Sequence, residues 1–143
     1  HDHVCGSDNQ KNGRIIAVDL SPRCLRDLVH LSSIRPGLVP VLGDARKLNS
    51  WGIMVPNKVD WLLQDVSQAG QATIFIDAVK KFLKPSGKAL LSLKAASERF
   101  SEGGEREVFN NVREELEKSG LTILEQIDLH GLEDNHCLYF VTN

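Results

Sequence analysis

The fold of this chain is organised around residues 59–71, VDWLLQDVSQAGQ: an apolar strand that ends on an acid, then a small polar loop, then a helix. In an open α/β sheet, ligands bind outside the carboxyl ends of the strands. We therefore expect Asp65, the acid at the strand end, to face a binding site rather than the core. The alternative is that Asp65 only caps the helix that the pattern predicts from Gln68, because Asp is among the best N-cap residues.

Strands and helices are predicted to alternate along the chain. Short apolar runs bounded by turn residues predict strands, and apolar residues at helical spacing predict helices. The predicted strands are residues 14–19, 38–42, 59–64, 89–93, 121–129 and 137–141, and the predicted helices are residues 20–31, 68–82 and 105–119. The turn at residues 84–87, KPSG, is expected to end the second helix before the fourth strand begins. This order predicts an α/β fold with a mostly parallel sheet, and the last two strands, which no helix separates, predict an antiparallel hairpin.

Length and composition are those of an ordinary globular domain. The chain has 143 residues, of which 41% are hydrophobic and 25% charged, so one continuous domain over residues 1–143 is expected. No apolar run approaches the roughly 18 residues that cross a bilayer, and the start lacks the charged and apolar regions of a signal peptide. These patterns predict an intracellular protein with no membrane partner.

Charge and cysteine content narrow the function classes. The formal net charge of -2 is not that of a domain that binds nucleic acid through bulk positive charge. Cys5, Cys24 and Cys137 are odd in number and widely spaced, which fits neither a disulfide framework nor a CxxC metal site. We interpret all three as reduced, structural cysteines.

Charged residues follow the predicted strand ends. Asp19, Asp44, Asp65 and Lys94 close the first four strands, and His136 enters from the final hairpin. Because the carboxyl ends of parallel strands meet at one edge of a sheet, we expect these five side chains to converge there. Taken singly, three of them have a simpler explanation: Asp44 suits a turn, Lys94 can extend to solvent, and His136 can be structural.

The set supports chemistry on a nucleotide-like ligand. An acid closing an early strand of a nucleotide-binding sheet commonly accepts hydrogen bonds from a ribose, which is the role expected of Asp19. Asp44 and Ala45 offer a carboxylate and a backbone N–H suited to an adenine edge. Asp65 and Lys94 can form a pair in which the carboxylate orients the lysine, and a lysine can act as a base. The sequence pairs no nucleophile with a base and has no metal-ligand spacing.

Five segments of the chain, in their order and spacing, closely resemble the fibrillarin family, particularly its archaeal fibrillarin-like members. They are VDLSPR, GDAR, DVSQAGQ, SLKAAS and EDNHCLYFV, which begin at residues 18, 43, 65, 92 and 133. The resemblance implies a Rossmann-like fold that binds S-adenosylmethionine. It also implies transfer of the methyl group to a ribose 2′-hydroxyl of RNA, guided by C/D-box RNA in rRNA and tRNA processing.

The resemblance implies roles for individual residues. Asp65, Lys94 and His136 match three members of the family's Lys-Asp-Lys-His catalytic set. The other matched positions would contact the cofactor: Asp19 and Leu20 at its ribose and adenine, Asp44 and Ala45 at its adenine, and Asp65 and Gln68 near its methionine end.

Partners and location are likewise implied by the family. We expect guide and substrate RNA, a Nop-domain scaffold protein and a kink-turn-binding protein as partners. The expected location is cytoplasmic for an archaeal-type protein, which the lack of a Gly/Arg-rich tail favours, and nucleolar for a eukaryotic one. Since the guide RNA chooses the methylated nucleotide in this family, the sequence does not specify it.

The sequence departs from the family pattern in two places. It opens at what corresponds to the helix after the family's glycine-rich first loop, so the fold is expected without its first strand, that loop and the first catalytic lysine. In the closing motif, Gly131 and Leu132 stand where the family favours proline and an aromatic, and Asn135 stands where aspartate is usual. Two alternatives stay open: a non-catalytic structural subunit, and an S-adenosylmethionine methyltransferase that acts on protein or a small molecule.

Overall fold

The computed structural model describes residues 2–5, 13–98 and 104–143. The chain divides into two compact units, His1–Pro56 and Asn57–Asn143. The single-domain interpretation stays a prediction. None of the helices in the described ranges combines the length and apolar character needed to span a bilayer.

The first unit is built on two parallel strands joined by a helix. Strands β1 (Ile15–Asp19) and β2 (Leu38–Leu42) pair in register from Ile15↔Leu38 to Asp19↔Leu42. Helix α2 (Pro22–Ile34) connects them, preceded in the chain by the short α1 (Asp2–Cys5). The Ser21 hydroxyl accepts a hydrogen bond from the Cys24 N–H, with proline at the first helical position. This start of α2 is the one that the Ser-Pro pair predicts.

A short helix after β2 was not predicted from the sequence. Helix α3 (Leu48–Trp51) places the buried Trp51 against the loop that leaves β2. The Trp51 indole N–H donates to the Asp44 carbonyl at 2.9 Å. A Cβ atom on Gly43 would lie 2.6 Å from the Trp51 ring, so the glycine is required by this close approach. The four-residue helix is too short for hydrophobic periodicity to reveal.

The second unit is a four-stranded mixed sheet with two helices. Its strands are β3 (Val59–Asp65), β4 (Leu83–Lys94), β5 (Thr122–Asp128) and β6 (His136–Thr142), and its helices are α4 (Gln71–Phe82) and α5 (Gly104–Lys118). The order across the sheet is β3-β4-β6-β5, with β3 parallel to β4 and β6 antiparallel to both of its neighbours. The predicted antiparallel hairpin is therefore confirmed, and its last strand lies between β4 and β5.

One face of this sheet packs against α4 and α5. The apolar residues at helical spacing that predict these two helices are buried: Ile74, Ile76, Ala78, Val79 and Phe82 in α4, and Val108, Val112 and Leu116 in α5. Facing them are the buried side chains Leu91, Leu93 and Tyr139 of the two central strands. Burial raises the pKa of Tyr139, so its hydroxyl stays protonated, and it donates to the Phe109 carbonyl at 2.7 Å.

Strand β4 begins earlier than the sequence predicts, at Leu83 instead of residue 89. Helix α4 ends at Phe82 as predicted, but β4 begins at Leu83 instead of after the KPSG turn. The pairing with β3 jumps from Val59↔Leu83 to Trp61↔Lys88, so the KPSG residues form an irregular bulge within the strand. Leu83 is buried, and burial of this side chain against the helices outweighs the local turn preference of proline and glycine.

The structural interpretation of the cysteines holds for two of the three. All three are free, and Cys5 and Cys137 are buried, but Cys24 is exposed. Cys24 lies in the first turn of α2, a helix with no buried residue. The prediction that it is a structural cysteine is therefore wrong.

Candidate active site

In the first unit, Asp19 and Asp44 lie at the same edge of the parallel strand pair. The Gly43 N–H donates to the Asp19 carbonyl at 2.9 Å, so the loops after β1 and β2 leave the sheet side by side. The Asp19 carboxylate accepts a hydrogen bond from the Ser21 N–H at 2.7 Å through Oδ1. Asp19 and Ala45 are half-buried, whereas Leu20 is 60% exposed. This edge therefore offers carboxylate oxygens beside an exposed apolar side chain, a combination that suits a sugar and a base ring.

Asp44 forms an ion pair with Arg46, which was not predicted from the sequence as a residue of the site. The Arg46 guanidinium holds both carboxylate oxygens, with Nη2 2.7 Å from Oδ2 and Nε 3.0 Å from Oδ1. The Arg46 backbone N–H also donates to Oδ1, at 2.9 Å. Hydrogen bonds from the Arg46 side chain and backbone lower the pKa of Asp44 to about 2. The only sequence signal for this clamp is an arginine two residues after an acid in a turn.

Loss of the Arg46 side chain is expected to raise the pKa of Asp44 towards the ordinary value of 3.8. Since the folded-state pKa is depressed, the stabilisation from Asp44 is complete above pH 3.8 and is lost as the pH falls from 3.8 to about 2. NMR titration of the Asp44 carboxyl carbon in Arg46→Met measures the shift. Arg26→Met, an exposed change in α2, serves as the matched control. An Asp44 that still titrates near its original midpoint in Arg46→Met contradicts the expectation.

In the second unit, strand register brings Asp65, Lys94 and His136 to one face of the sheet. Asp65 pairs with Ser92 in the parallel ladder, and Lys94 pairs with His136 in the antiparallel ladder. Paired residues point to the same face, and so do residues two apart in a strand. Leu91 and Leu93, on the opposite face, are buried against the helices. The three candidate residues therefore share the face away from α4 and α5.

The expected pair of Asp65 and Lys94 is close in register but not in contact. Lys94 lies two residues beyond the ladder partner of Asp65, which corresponds to roughly 8 Å between their Cα atoms. Asp65 is exposed and Lys94 half-buried. Within the described residues, no ion pair joins their charged groups. A direct ion pair between Asp65 and Lys94 therefore stays a prediction.

His136 is held in one orientation by its own loop. Its side chain is only 11% exposed, and Nδ1 lies 2.8 Å from the Asp134 carbonyl. A carbonyl only accepts hydrogen bonds, so Nδ1 carries the proton in this contact. In the neutral ring, Nε2 is then the free acceptor. His136 can therefore accept a proton or a hydrogen bond at the atom opposite the loop.

Comparison with known proteins decides the family. The model of the family described as Fibrillarin matches residues 3–143. The chain belongs to the fibrillarin family. The fibrillarin-like rRNA/tRNA 2'-O-methyltransferase of Thermococcus gammatolerans is 41% identical over 129 residues, which are 90% of this chain and 56% of that protein. The chain thus spans little more than half the length of this relative.

Solved fibrillarin structures have the same fold. A crystal structure of Aeropyrum pernix fibrillarin, in complex with natively bound S-adenosyl-L-methionine, matches with a TM-score of 0.80 and 28% identity. The match covers 94% of this chain and 57% of that one. A crystal structure of a fibrillarin/Nop5p complex matches with a TM-score of 0.85 and 29% identity, over 96% of this chain and 64% of that one. The predicted Rossmann-like methyltransferase fold is confirmed.

The departures from the fibrillarin closing motif fit the observed loop. Asn135 has a φ of 60° and Gly131 a φ of 87°, in the left-handed region that glycine adopts freely and asparagine tolerates best among the other residues. The Asn135 carbonyl accepts a hydrogen bond from the Ala95 N–H at 2.8 Å. The loop before His136 is thereby tied to the residue that follows Lys94.

Asp65 does not cap the helix that follows it in this fibrillarin chain. Helix α4 begins at Gln71 instead of Gln68, and its N-cap is Gly70 with a φ of 80°. The cap is supplied by Glu98, whose carboxylate accepts hydrogen bonds from the N–H groups of Gly70 and Gln71, each at 2.9 Å. The capping alternative for Asp65 is therefore wrong. Gln68 lies half-buried in the loop between Asp65 and α4.

Glu98 and Gln71 were not predicted from the sequence as residues near the site, since these partners are 23 to 28 residues away in the chain. A cap from so far along the sequence leaves no local signal. Among the residues that the structure describes, no three His, Cys, Asp or Glu side chains are placed to hold a metal ion together.

Proposed function

We propose that this chain is the methyltransferase part of an enzyme that methylates a ribose 2′-hydroxyl of RNA, with S-adenosylmethionine as donor and a C/D-box guide RNA selecting the site. The observation that carries the proposal is the register that puts Asp65, Lys94 and His136 on one sheet face. Family membership supports it, since the relatives are named rRNA/tRNA 2'-O-methyltransferases.

The first unit has groups that fit the nucleoside part of the cofactor. The Asp19 carboxylate accepts one backbone hydrogen bond through Oδ1, and a carboxylate has capacity for several more. It can therefore accept hydrogen bonds from ribose hydroxyls, as an acid at this place commonly does. Leu20 is exposed and Ala45 half-buried, so both can contact an adenine ring. Asp44, neutralised by Arg46, would shape the loop around the adenine.

The second unit has groups that fit the methyl transfer. When bound, S-adenosylmethionine supplies an electrophilic methyl group. The Lys94 ammonium or amine would position the 2′-hydroxyl and take part in the removal of its proton. Asp65, on the same face, would orient Lys94 and lie near the methyl group, with Gln68 beside it. His136 would support the substrate side through Nε2, because Nδ1 faces the Asp134 carbonyl.

Binding of RNA is proposed to depend on partner proteins. A net charge of -2 supplies little attraction for the phosphate backbone. A fibrillarin has been crystallised with Nop5p, which supports a Nop-domain scaffold as one partner, and a kink-turn-binding protein is proposed as another. We propose a cytoplasmic location if the protein is of the archaeal type and a nucleolar one if it is eukaryotic.

The proposal is tested by methyl transfer to RNA in the guide-assembled complex. A substrate RNA that pairs with the guide should accept one labelled methyl group, and the same RNA with a 2′-deoxyribose at the target nucleotide should accept none. Calorimetry with S-adenosylmethionine should show binding, weakened about tenfold or more in Asp19→Ala, since a hydrogen bond to a charged group is lost. Leu132→Ala, at a highly exposed loop position, is the binding control.

Other outcomes separate the alternatives. Cofactor binding without any transfer to RNA, but with transfer to a protein or small molecule, supports the second methyltransferase class. Absence of cofactor binding, in a complex that still assembles with RNA, supports a structural subunit. Methylation of the deoxy-substituted RNA contradicts the 2′-hydroxyl as the acceptor.

A further inference from the structure

On one side of β4, the main chain of Lys94 is hydrogen-bonded to a side chain, that of Gln71, instead of to a neighbouring strand. The ladder between β3 and β4 ends at Asp65↔Ser92, two residues before Lys94. On the other side, β6 pairs His136 with Lys94. A backbone N–H and C=O left without partners at a half-buried position would cost free energy and loosen the strand end. The place that β3 leaves open is filled by Gln71.

The Gln71 side chain makes the two hydrogen bonds that the main chain of a neighbouring strand would make to Lys94. It is fully buried at the first position of α4. Its Oε1 accepts a hydrogen bond from the Lys94 N–H, and its Nε2 donates to the Lys94 carbonyl, both at 3.0 Å. A carboxamide has one acceptor and two donor hydrogens, so it completes both backbone bonds of Lys94 and has one donor left.

Glu98 fixes Gln71 through that remaining donor. Glu98 Oε1 accepts hydrogen bonds from Nε2 and from the backbone N–H of Gln71, each at 2.9 Å, and Oε2 accepts one from the Gly70 N–H at 2.9 Å. The Gln64 side chain donates to the Gln71 carbonyl at 2.8 Å. The carboxylate thus closes a ring of contacts that joins the start of α4, the end of β4 and the segment after it.

We propose that Gln71 and Glu98 are positioning residues that hold Lys94 in place for the methyl transfer. Lys94 is the last residue of β4, where a strand would otherwise fray, and its side chain points to the face shared with Asp65 and His136. Gln71 and Glu98 act on the main chain of Lys94 and do not themselves contact the reacting groups. The inference rests on the proposed function for its catalytic part, whereas the placement of the Lys94 main chain can be measured without activity.

The test compares Gln71→Leu and Glu98→Gln with Tyr139→Phe in the guide-assembled complex. Leucine is close in size to glutamine but removes both hydrogen bonds to Lys94. In Glu98→Gln, the amide that replaces the carboxylate keeps one acceptor oxygen and loses the other. Tyr139→Phe removes one buried hydrogen bond to the Phe109 carbonyl, on the opposite face of the sheet, so it is the control for general loss of stability. The measurements are hydrogen exchange of the Lys94 amide, and kcat and KM under conditions where each variant is fully folded.

The expected result is specific to Lys94. In Gln71→Leu, the Lys94 amide should exchange about tenfold faster or more, as the loss of one hydrogen bond predicts, while the amides of Leu91 and Leu93 stay protected. The value of kcat should fall about tenfold or more with little change in KM for S-adenosylmethionine, because small displacements of a reacting group are costly. Glu98→Gln should show the same pattern more weakly, and Tyr139→Phe should leave kcat unchanged.

Two results would overturn the inference. One is an unchanged exchange rate of the Lys94 amide in Gln71→Leu, and the other is a fall in kcat for Tyr139→Phe equal to that for Gln71→Leu. A wild-type complex that transfers no methyl group overturns the proposed function and, with it, the catalytic part of this inference. The exchange measurement then still decides whether Gln71 and Glu98 hold the Lys94 main chain.

Discussion

Replacing Lys94 by methionine is expected to lower the rate constant of methyl transfer by about 10²- to 10⁴-fold, the usual contribution of a positioned acid or base. Methionine keeps most of the apolar volume of the lysine stem but has no group that can orient the 2′-hydroxyl or accept its proton. The backbone bonds of Lys94 to Gln71 do not involve its side chain, so the fold should be preserved. Single-turnover methyl transfer in the guide-assembled complex measures the effect.

Lys88→Met is the matched control for Lys94→Met. Lys88 lies in the same strand and on the same face, six residues before Lys94. It pairs with Trp61 in the ladder, so it lies towards the opposite end of the strand from Lys94. It should retain the wild-type rate and affinity for S-adenosylmethionine. An equal fall in rate for both variants would point to a general effect of charge on RNA binding, and an unimpaired Lys94→Met would remove Lys94 from the mechanism.

Phe75→Ala is expected to destabilise the second unit by about 3–5 kcal/mol, the cost of truncating a buried aromatic side chain. Phe75 is completely buried in α4 and belongs to the cluster that includes Leu91 and Tyr139. Its removal takes apolar area from the core and leaves a cavity between helix and sheet. Urea unfolding, followed by circular dichroism, measures the change in the free energy of unfolding.

Two variants bracket the result for Phe75. Phe75→Leu keeps an apolar side chain at the same place and should cost clearly less than alanine, because it leaves the smaller cavity. Leu132→Ala removes a leucine that is 86% exposed and should change stability by about 0.5 kcal/mol or less. Equal losses for Phe75→Ala and Leu132→Ala would show that the helix does not pack against the sheet as described.

The regular elements were largely predictable because their signals are local. The apolar stripe of α4, the Ser-Pro start of α2 and the glycine after α5 each act within a few residues. At the end of α5, the N–H groups of Gly120 and Leu121 donate to the carbonyls of Glu117 and Leu116, which is the ending that a glycine at this position predicts. The errors lie where distant contacts prevail, as at the buried Leu83 and at the helix cap from Glu98.

The candidate site was predictable as a set of residues, but not as an arrangement. Charged strand ends and a recognisable family pattern are sufficient to select Asp19, Asp44, Asp65, Lys94 and His136. The convergence of the two aspartates of the first unit with the three residues of the second stays a prediction. Within the second unit, the register places Asp65, Lys94 and His136 on the expected shared face, and a direct ion pair between Asp65 and Lys94 stays a prediction.

The amino-acid sequence by itself determined the order of the elements, the family and the residues at each strand end, because composition, periodicity and motif are properties of neighbouring residues. Only the tertiary structure decided which face those residues share, that Arg46 neutralises Asp44, and that Gln71 and Glu98 complete the end of β4. The physical reason is that strand register and buried hydrogen bonds are settled by groups far apart in the chain, which meet only when the sheet and its helices bury their apolar faces together.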